Sequence, residues 1–254
     1  MGGWSRSRSR RLGLFGLTLA LAGSVGLPAG DASVGYTLQR STFFSTAVVE
    51  RWNPCQKVVT YKVNAALAAG TSAGRASAIA DVKRAFVLLG AATGITFGYR
   101  GTTSYRPTGS NWSKATTAGG EPAEIVIAWV DAKHPSTLML AGAAGVGGFA
   151  VRATKNAAGV VAADIGRGFV VLNAADNRSF KPGFGPGVTR GELLLHELGH
   201  AIGLGHTSLT SQIMYRYLRS RTTTAFGRYD LLGLHLLGRS QGCINAPGLW
   251  QDLS

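Results

Sequence analysis

Three of the chain's five histidines fall within one run of eleven residues, His196-Glu197-Leu198-Gly199-His200-Ala201-Ile202-Gly203-Leu204-Gly205-His206. On a helix, residues four apart differ by about 40° in direction and about 6 Å in rise, so His196 and His200 present their imidazoles from one face. Gly203 suits the left-handed conformation that ends a helix, after which the chain can turn and return His206 as a third nitrogen ligand. Three neutral imidazoles with a fourth position open describe a catalytic zinc site rather than a closed structural one. Glu197 stands beside His196, placed to reach a zinc-bound water without ligating the metal. It can then act as general base and pass the proton to a leaving amine. That chemistry is hydrolysis of a peptide bond.

Such a site needs a rigid frame, and the flanking pattern supplies one. Thr189 caps a helix over about 190–202, with Glu192 at the capping-box position. Upstream, residues 58–63 alternate as a strand, and 75–92 carry a helical apolar stripe that Gly94 stops. Strands are expected at 95–99, 124–130, 149–153 and 168–173. Between them lie a polar loop at 100–120, a Gly/Ala-rich turn region at 141–148 and a glycine-rich loop at 181–187. A last helix spans about 226–237. The order β-α-β-β-β-β-α-α predicts one α+β domain, its core over 54–245 preceded by an irregular arm over 33–53.

The remaining composition bounds the class. At 254 residues and 45% hydrophobic, the chain is neither disordered nor a miniprotein. Arg6, Arg8, Arg10 and Arg11 precede an uncharged stretch from Leu12 to Gly30 with Pro28 near its end, the pattern of a secretory signal peptide. A cut after Ala32 or after Ala29 fits; an uncleaved anchor is the alternative. Ser9-Arg10-Arg11 with Leu12 and Leu14 weakly resembles a twin-arginine signal. Losing residues 1–32 lowers the net charge from +14 to +11. The remaining basic residues are scattered, so no nucleic-acid stripe forms. Two cysteines permit one bridge, and outside the cytosol Cys55 and Cys243 are each other's only partners.

The eleven-residue run resembles the extended zinc-binding motif of the metzincin metallopeptidases. Ser211-Gln212-Ile213-Met214-Tyr215 looks like that clan's Met-turn. The resemblance implies that Met214 floors the three histidines, with Tyr215 packed beside it. Thr207, following the third histidine, is similar to the serine typical of matrixins. The start Arg51-Trp52-Asn53-Pro54-Cys55 and the late Cys243 resemble secreted bacterial matrixin-type proteases. The implied fold is a mixed, twisted five-stranded sheet with a long N-terminal helix, an active-site helix and a C-terminal helix. Substrate would lie extended and antiparallel to an edge strand near Gly147 to Val151. The wall after Met214 carries Arg216, Arg219 and Arg221, which would favour acidic residues past the scissile bond, or else form a solvated basic loop.

The resemblance has departures. Asp131, His134, Asp164 and Asp176 make no His/Asp-rich cluster, which argues against a structural zinc and offers little for calcium. His134, His235 and Tyr217 are read as non-catalytic. The expected protein is thus a secreted, extracellular, monomeric zinc endopeptidase holding one catalytic ion and acting on protein or peptide substrates. It would bind no nucleic acid and keep no stable membrane insertion. The rival is a catalytically weak or inactive binding protein on the same fold, attaching to anionic cell-surface polymer. The intact Glu197 speaks against that rival, because a pure binding module needs no general base.

Overall fold

A computed structural model of the chain describes residues 35–109 and 123–245, and the backbone of 251–253. The export segment and most of the loop expected at 100–120 lie outside these residues. Among the described residues no helix is long and apolar enough to cross a membrane.

The stretch expected to be an irregular arm is largely paired. It contains β1 (Thr37–Leu38) and a hairpin of β2 (Arg40–Phe43) with β3 (Thr46–Val49). Phe44 and Ser45 turn that hairpin with φ of 50° and 69°, the left-handed pair that a two-residue hairpin turn requires. Then come β4 (Val59–Asn64), α1 (Ser72–Thr93), β5 (Phe97–Thr102), β6 (Ile125–Val130), β7 (Gly145–Lys155) and β8 (Val161–Asn173). The chain continues through α2 (Ala174–Asn177), α3 (Arg190–Ile202), β9 (Leu204–Gly205), α4 (Arg228–Leu237) and β10 (Gln251–Leu253). The main sheet has the order β10-β7-β8-β6-β4-β5. Its five core strands form the expected mixed α+β sheet, with β5, β4, β6 and β8 parallel and β7 antiparallel to β8. The short β10 is a sixth strand that the sequence did not announce, added antiparallel to the outer side of β7.

Each element follows from its residues. β6 is buried at all six positions, as an apolar run covered on both faces must be. α1 starts at the Thr71 cap and stops at Gly94, whose φ of 70° and amide bond to Gly90 O make a left-handed C-cap. One expectation fails at the start of β7. The glycine-rich turn foreseen at 141–148 is strand from Gly145 onward, because α3 lies so close that only glycine fits. A Cβ on Gly147 would sit 1.9 Å from Glu197 O.

α3 is buried along all thirteen residues, between the sheet and the helices α1 and α4. A helix buried all round must find a partner or a purpose for every polar side chain it carries. Arg190 donates from Nε to Asp81 on α1 at 2.7 Å and from Nη2 to Ser77 at 3.0 Å, tying the two helices. At the far end Trp52, fully buried, donates its indole N–H to Ala201 O at 2.9 Å, occupying one of the last carbonyls of α3. Cys55 and Cys243 are disulfide-bonded across 188 positions. Bonds from Arg51 to the Gln241 and Gly242 carbonyls and from Asn53 to Ile244 O reinforce that clasp.

Candidate metal centre

The helix that carries His196 and His200 has the expected bounds. Thr189 accepts the Glu192 amide at 3.1 Å, and Gly203 ends the helix with φ 113° and its amide on Gly199 O and His200 O. The capping box is only half made, because the Glu192 carboxylate turns away from the cap. Its Oε1 takes Arg221 Nε at 2.7 Å and the Arg219 amide at 3.0 Å. Gly203 is required for contact as well as for dihedral, since a Cβ there would meet Glu50 O at 2.3 Å. The supposed arm thus shapes the return to His206. Gln39 donates to Gly203 O at 2.8 Å and Leu204 O at 2.9 Å, and β1 pairs with β9.

That return brings the three imidazoles together. His200 Nε2 lies 3.2 Å from His196 Nε2 and 3.2 Å from His206 Nε2, and the third side of the triangle is 3.3 Å. His196 Nδ1 donates to Ile213 O at 2.8 Å and His200 Nδ1 to Leu204 O at 2.9 Å. The protons of these two rings therefore sit on Nδ1, and bare Nε2 lone pairs face inward. A zinc ion bound tetrahedrally at 2.0–2.1 Å sets its nitrogens about 3.3 Å apart, so the triangle fits the ion that its donor chemistry suits. Burial keeps the rings neutral: it lowers His200 to about 4 and His206 to about 3, and holds His196 well below the usual imidazole range, with the neighbouring rings adding to the effect. Among the described residues these three are the His, Cys, Asp or Glu group placed to hold a metal ion.

Glu197 is fully buried beside them, and neither carboxylate oxygen has a hydrogen-bond partner. Burial raises its pKa to about 8; the Gly147 amide is near enough to pull the other way but lacks hydrogen-bond geometry. An orphaned buried carboxyl is costly to the fold, and such groups cluster where chemistry needs them.

Beneath the helix, Met214 is buried against Gly199, where an added Cβ would sit 2.4 Å from its sulfur. The turn holding Met214 is fixed from α4. Asp230 accepts the Ile213 amide at 2.6 Å, the Met214 amide at 3.2 Å and the Gly227 amide at 2.9 Å, while Thr207 donates to Met214 O. Because Ile213 O holds His196, Asp230 orients that ring through two backbone bonds. Asp230 stands at the third position of α4, where a carboxylate signals a helix start and takes the Gly227 amide; its reach to the Met214 turn carries no local signal. Tyr215, next to Met214 and half-buried, bridges to Thr207 and stacks edge-on with Tyr217 at 5.8 Å.

The three arginines after Met214 divide. Arg221 is largely buried on Glu192 and donates to the Ser211 and Gln212 carbonyls, so it is structural and unavailable to substrate. Arg219 lies over the Tyr215 ring, and Arg216 is exposed near His206, lowering its pKa. The other singled-out groups stay apart from the centre. His134 is exposed and pairs with Asp131, Asp164 pairs with Arg152, Asp176 lies in the single turn of α2, and His235 faces outward on α4.

No curated protein matches the chain. A family model does: the one described as matrixin, of the peptidase M10 group, aligns with residues 51–236, from just before the Trp52 anchor through nearly all of α4. That span is well over half of the chain and contains the histidine triangle, Glu197 and the Met214 turn, and the chain therefore belongs to the matrixin family of metallopeptidases.

Proposed function

We propose that the protein is an exported zinc endopeptidase that binds one ion through His196, His200 and His206 and uses Glu197 as its general base. The observation that carries this is the triangle of bare Nε2 atoms at 3.2–3.3 Å beside a buried carboxylate with no partner. When bound there, zinc acts as a Lewis acid on the scissile carbonyl and lowers the pKa of water to about 7. Glu197 takes the proton from the attacking water and delivers it to the leaving amine nitrogen, acting first as general base and then as general acid. Gly145 and Gly147, lying against Glu197, allow the β7 edge and an extended substrate to approach the base closely. Met214 and Asp230 keep the ligands from below, and the Cys55–Cys243 bond suits an oxidising, extracellular setting.

The test is casein hydrolysis by protein lacking residues 1–32, with and without chelator, beside Glu197→Ala. Hydrolysis should vanish with chelator, return with zinc, and fall by about 10³-fold or more in the variant, which should still bind one zinc. Equal inertness of wild type and variant in the presence of zinc refutes the reading.

A further inference from the structure

β7 is the outermost core strand, and α3 crosses it at Gly145 and Gly147, where Glu197 makes the closest approach. Along Gly145–Ala150 only one side of β7 is taken, by β8, and no described strand pairs with the other. An open edge running past a catalytic carboxylate is a template for an extended peptide. The same edge is closed farther along. Gln251 pairs with Ala153, Asp252 with Arg152 and Leu253 with Val151.

We infer that β10 is an upstream stop on the substrate edge, so that the enzyme discriminates substrates by the length of extended chain on the N-terminal side of the cleaved bond. The inference rests on the endopeptidase reading above. Both strands that meet β7 do so antiparallel, and a peptide adding to Gly145–Ala150 in the same sense runs in the direction of β10. Its N-terminal end then points toward Val151, where Leu253 already stands. Gly147 and Val151 are four residues apart, about 13 Å of strand. About four substrate residues therefore fit upstream before the peptide must leave the sheet or displace β10.

Peptides with one shared downstream half and two, four, six or eight upstream residues test this against wild type and an Asp252→Pro/Leu253→Pro double variant. Alternate residues of an antiparallel strand donate across, so adjacent prolines remove a ladder donor whichever of the two faces β7. For wild type, kcat/KM should rise up to about four upstream residues and then level off. For the double variant it should go on rising, by roughly fivefold between four and eight residues, the worth of about one backbone hydrogen bond. Hydrogen exchange supplies a readout independent of activity: amides of Val151–Ala153 that point away from β8 should be protected in wild type and exposed in the variant. Cleavage with identical length profiles, or identical exchange at those amides, overturns the stop. Failure of wild type to cleave any peptide instead overturns the endopeptidase reading beneath it.

Discussion

Gly147→Ala tests the tightest contact in the site. The added Cβ would lie 1.9 Å from Glu197 O and 2.7 Å from Glu197 C, backbone atoms of a helix that cannot swing aside as a side chain would. Relieving the clash to even 3.0 Å requires α3 and β7 to part by at least about 1 Å, in an interior that is close-packed. Overpacking of this kind costs about 3 kcal/mol, the upper end of the usual range. For a domain of this size that lowers Tm by roughly 6–12 °C. The same displacement moves Glu197, the proposed general base, relative to the β7 edge, and a misplacement near 1 Å costs about 10²-fold in rate. The sign is diagnostic. Gly147 is not in the left-handed region, so without the clash alanine would stabilise the strand by about 0.4–1 kcal/mol through the unfolded state. Gly185→Ala is the matched control, with nothing within 4 Å of its Cβ and no left-handed φ; it should raise Tm slightly, by about 1–4 °C, and leave hydrolysis unchanged. Thermal unfolding and casein hydrolysis read the two effects. A Gly147→Ala protein as stable and as active as wild type would refute the packing argument.

Other expectations concern the supports of the site. Asp230→Asn places an amide group among three backbone N–H donors; it should cost about 3 kcal/mol in urea unfolding and weaken zinc affinity about 10–100-fold by loosening the Ile213 hold on His196. Full wild-type zinc affinity in that variant would contradict the second half. Reducing Cys55–Cys243 opens a 188-residue loop and should remove about 5 kcal/mol in the chain-entropy model, which a drop in Tm of at least roughly 10 °C on adding reductant to metal-free protein would register. His206 is held down to about 3 when folded, against a usual value of 6.5, so the unfolded chain binds the extra proton between those values. Metal-free wild type should therefore lose stability relative to His206→Asn as pH falls from 7 to 4.5, and a constant difference between their urea midpoints would count against that assignment.

Much of the metal centre was legible because its spacing is a property of the helix itself. His196 and His200 share a face at a separation of four, Thr189 offers a cap, and Gly203 offers the left-handed stop; the structure keeps all three. The Cys55–Cys243 pair was legible by elimination. The start of β7 was misread because glycine signals a turn locally, whereas Gly145 and Gly147 are needed by a helix that comes from fifty residues away in sequence. The arm before Asn53 was read as irregular because β1 finds its partner only at Leu204–Gly205, far along the chain. Glu192 looked like a capping-box residue until Arg221, 29 positions on, claimed its carboxylate.

By itself, then, the amino-acid order determined which side chains stand on one face of α3, where that helix begins and ends, and which chemistry such donors suit. These are consequences of helical geometry and donor type, and they need no neighbours. Tertiary structure alone decided what surrounds them: the β1 pairing that supports the return to His206, the orphaned carboxyl of Glu197 under the β7 glycines, the Asp230 brace on the Met214 turn, and the three-residue strand at the edge of β7. Each depends on contacts between distant segments, whose energies arise only when the whole core is assembled.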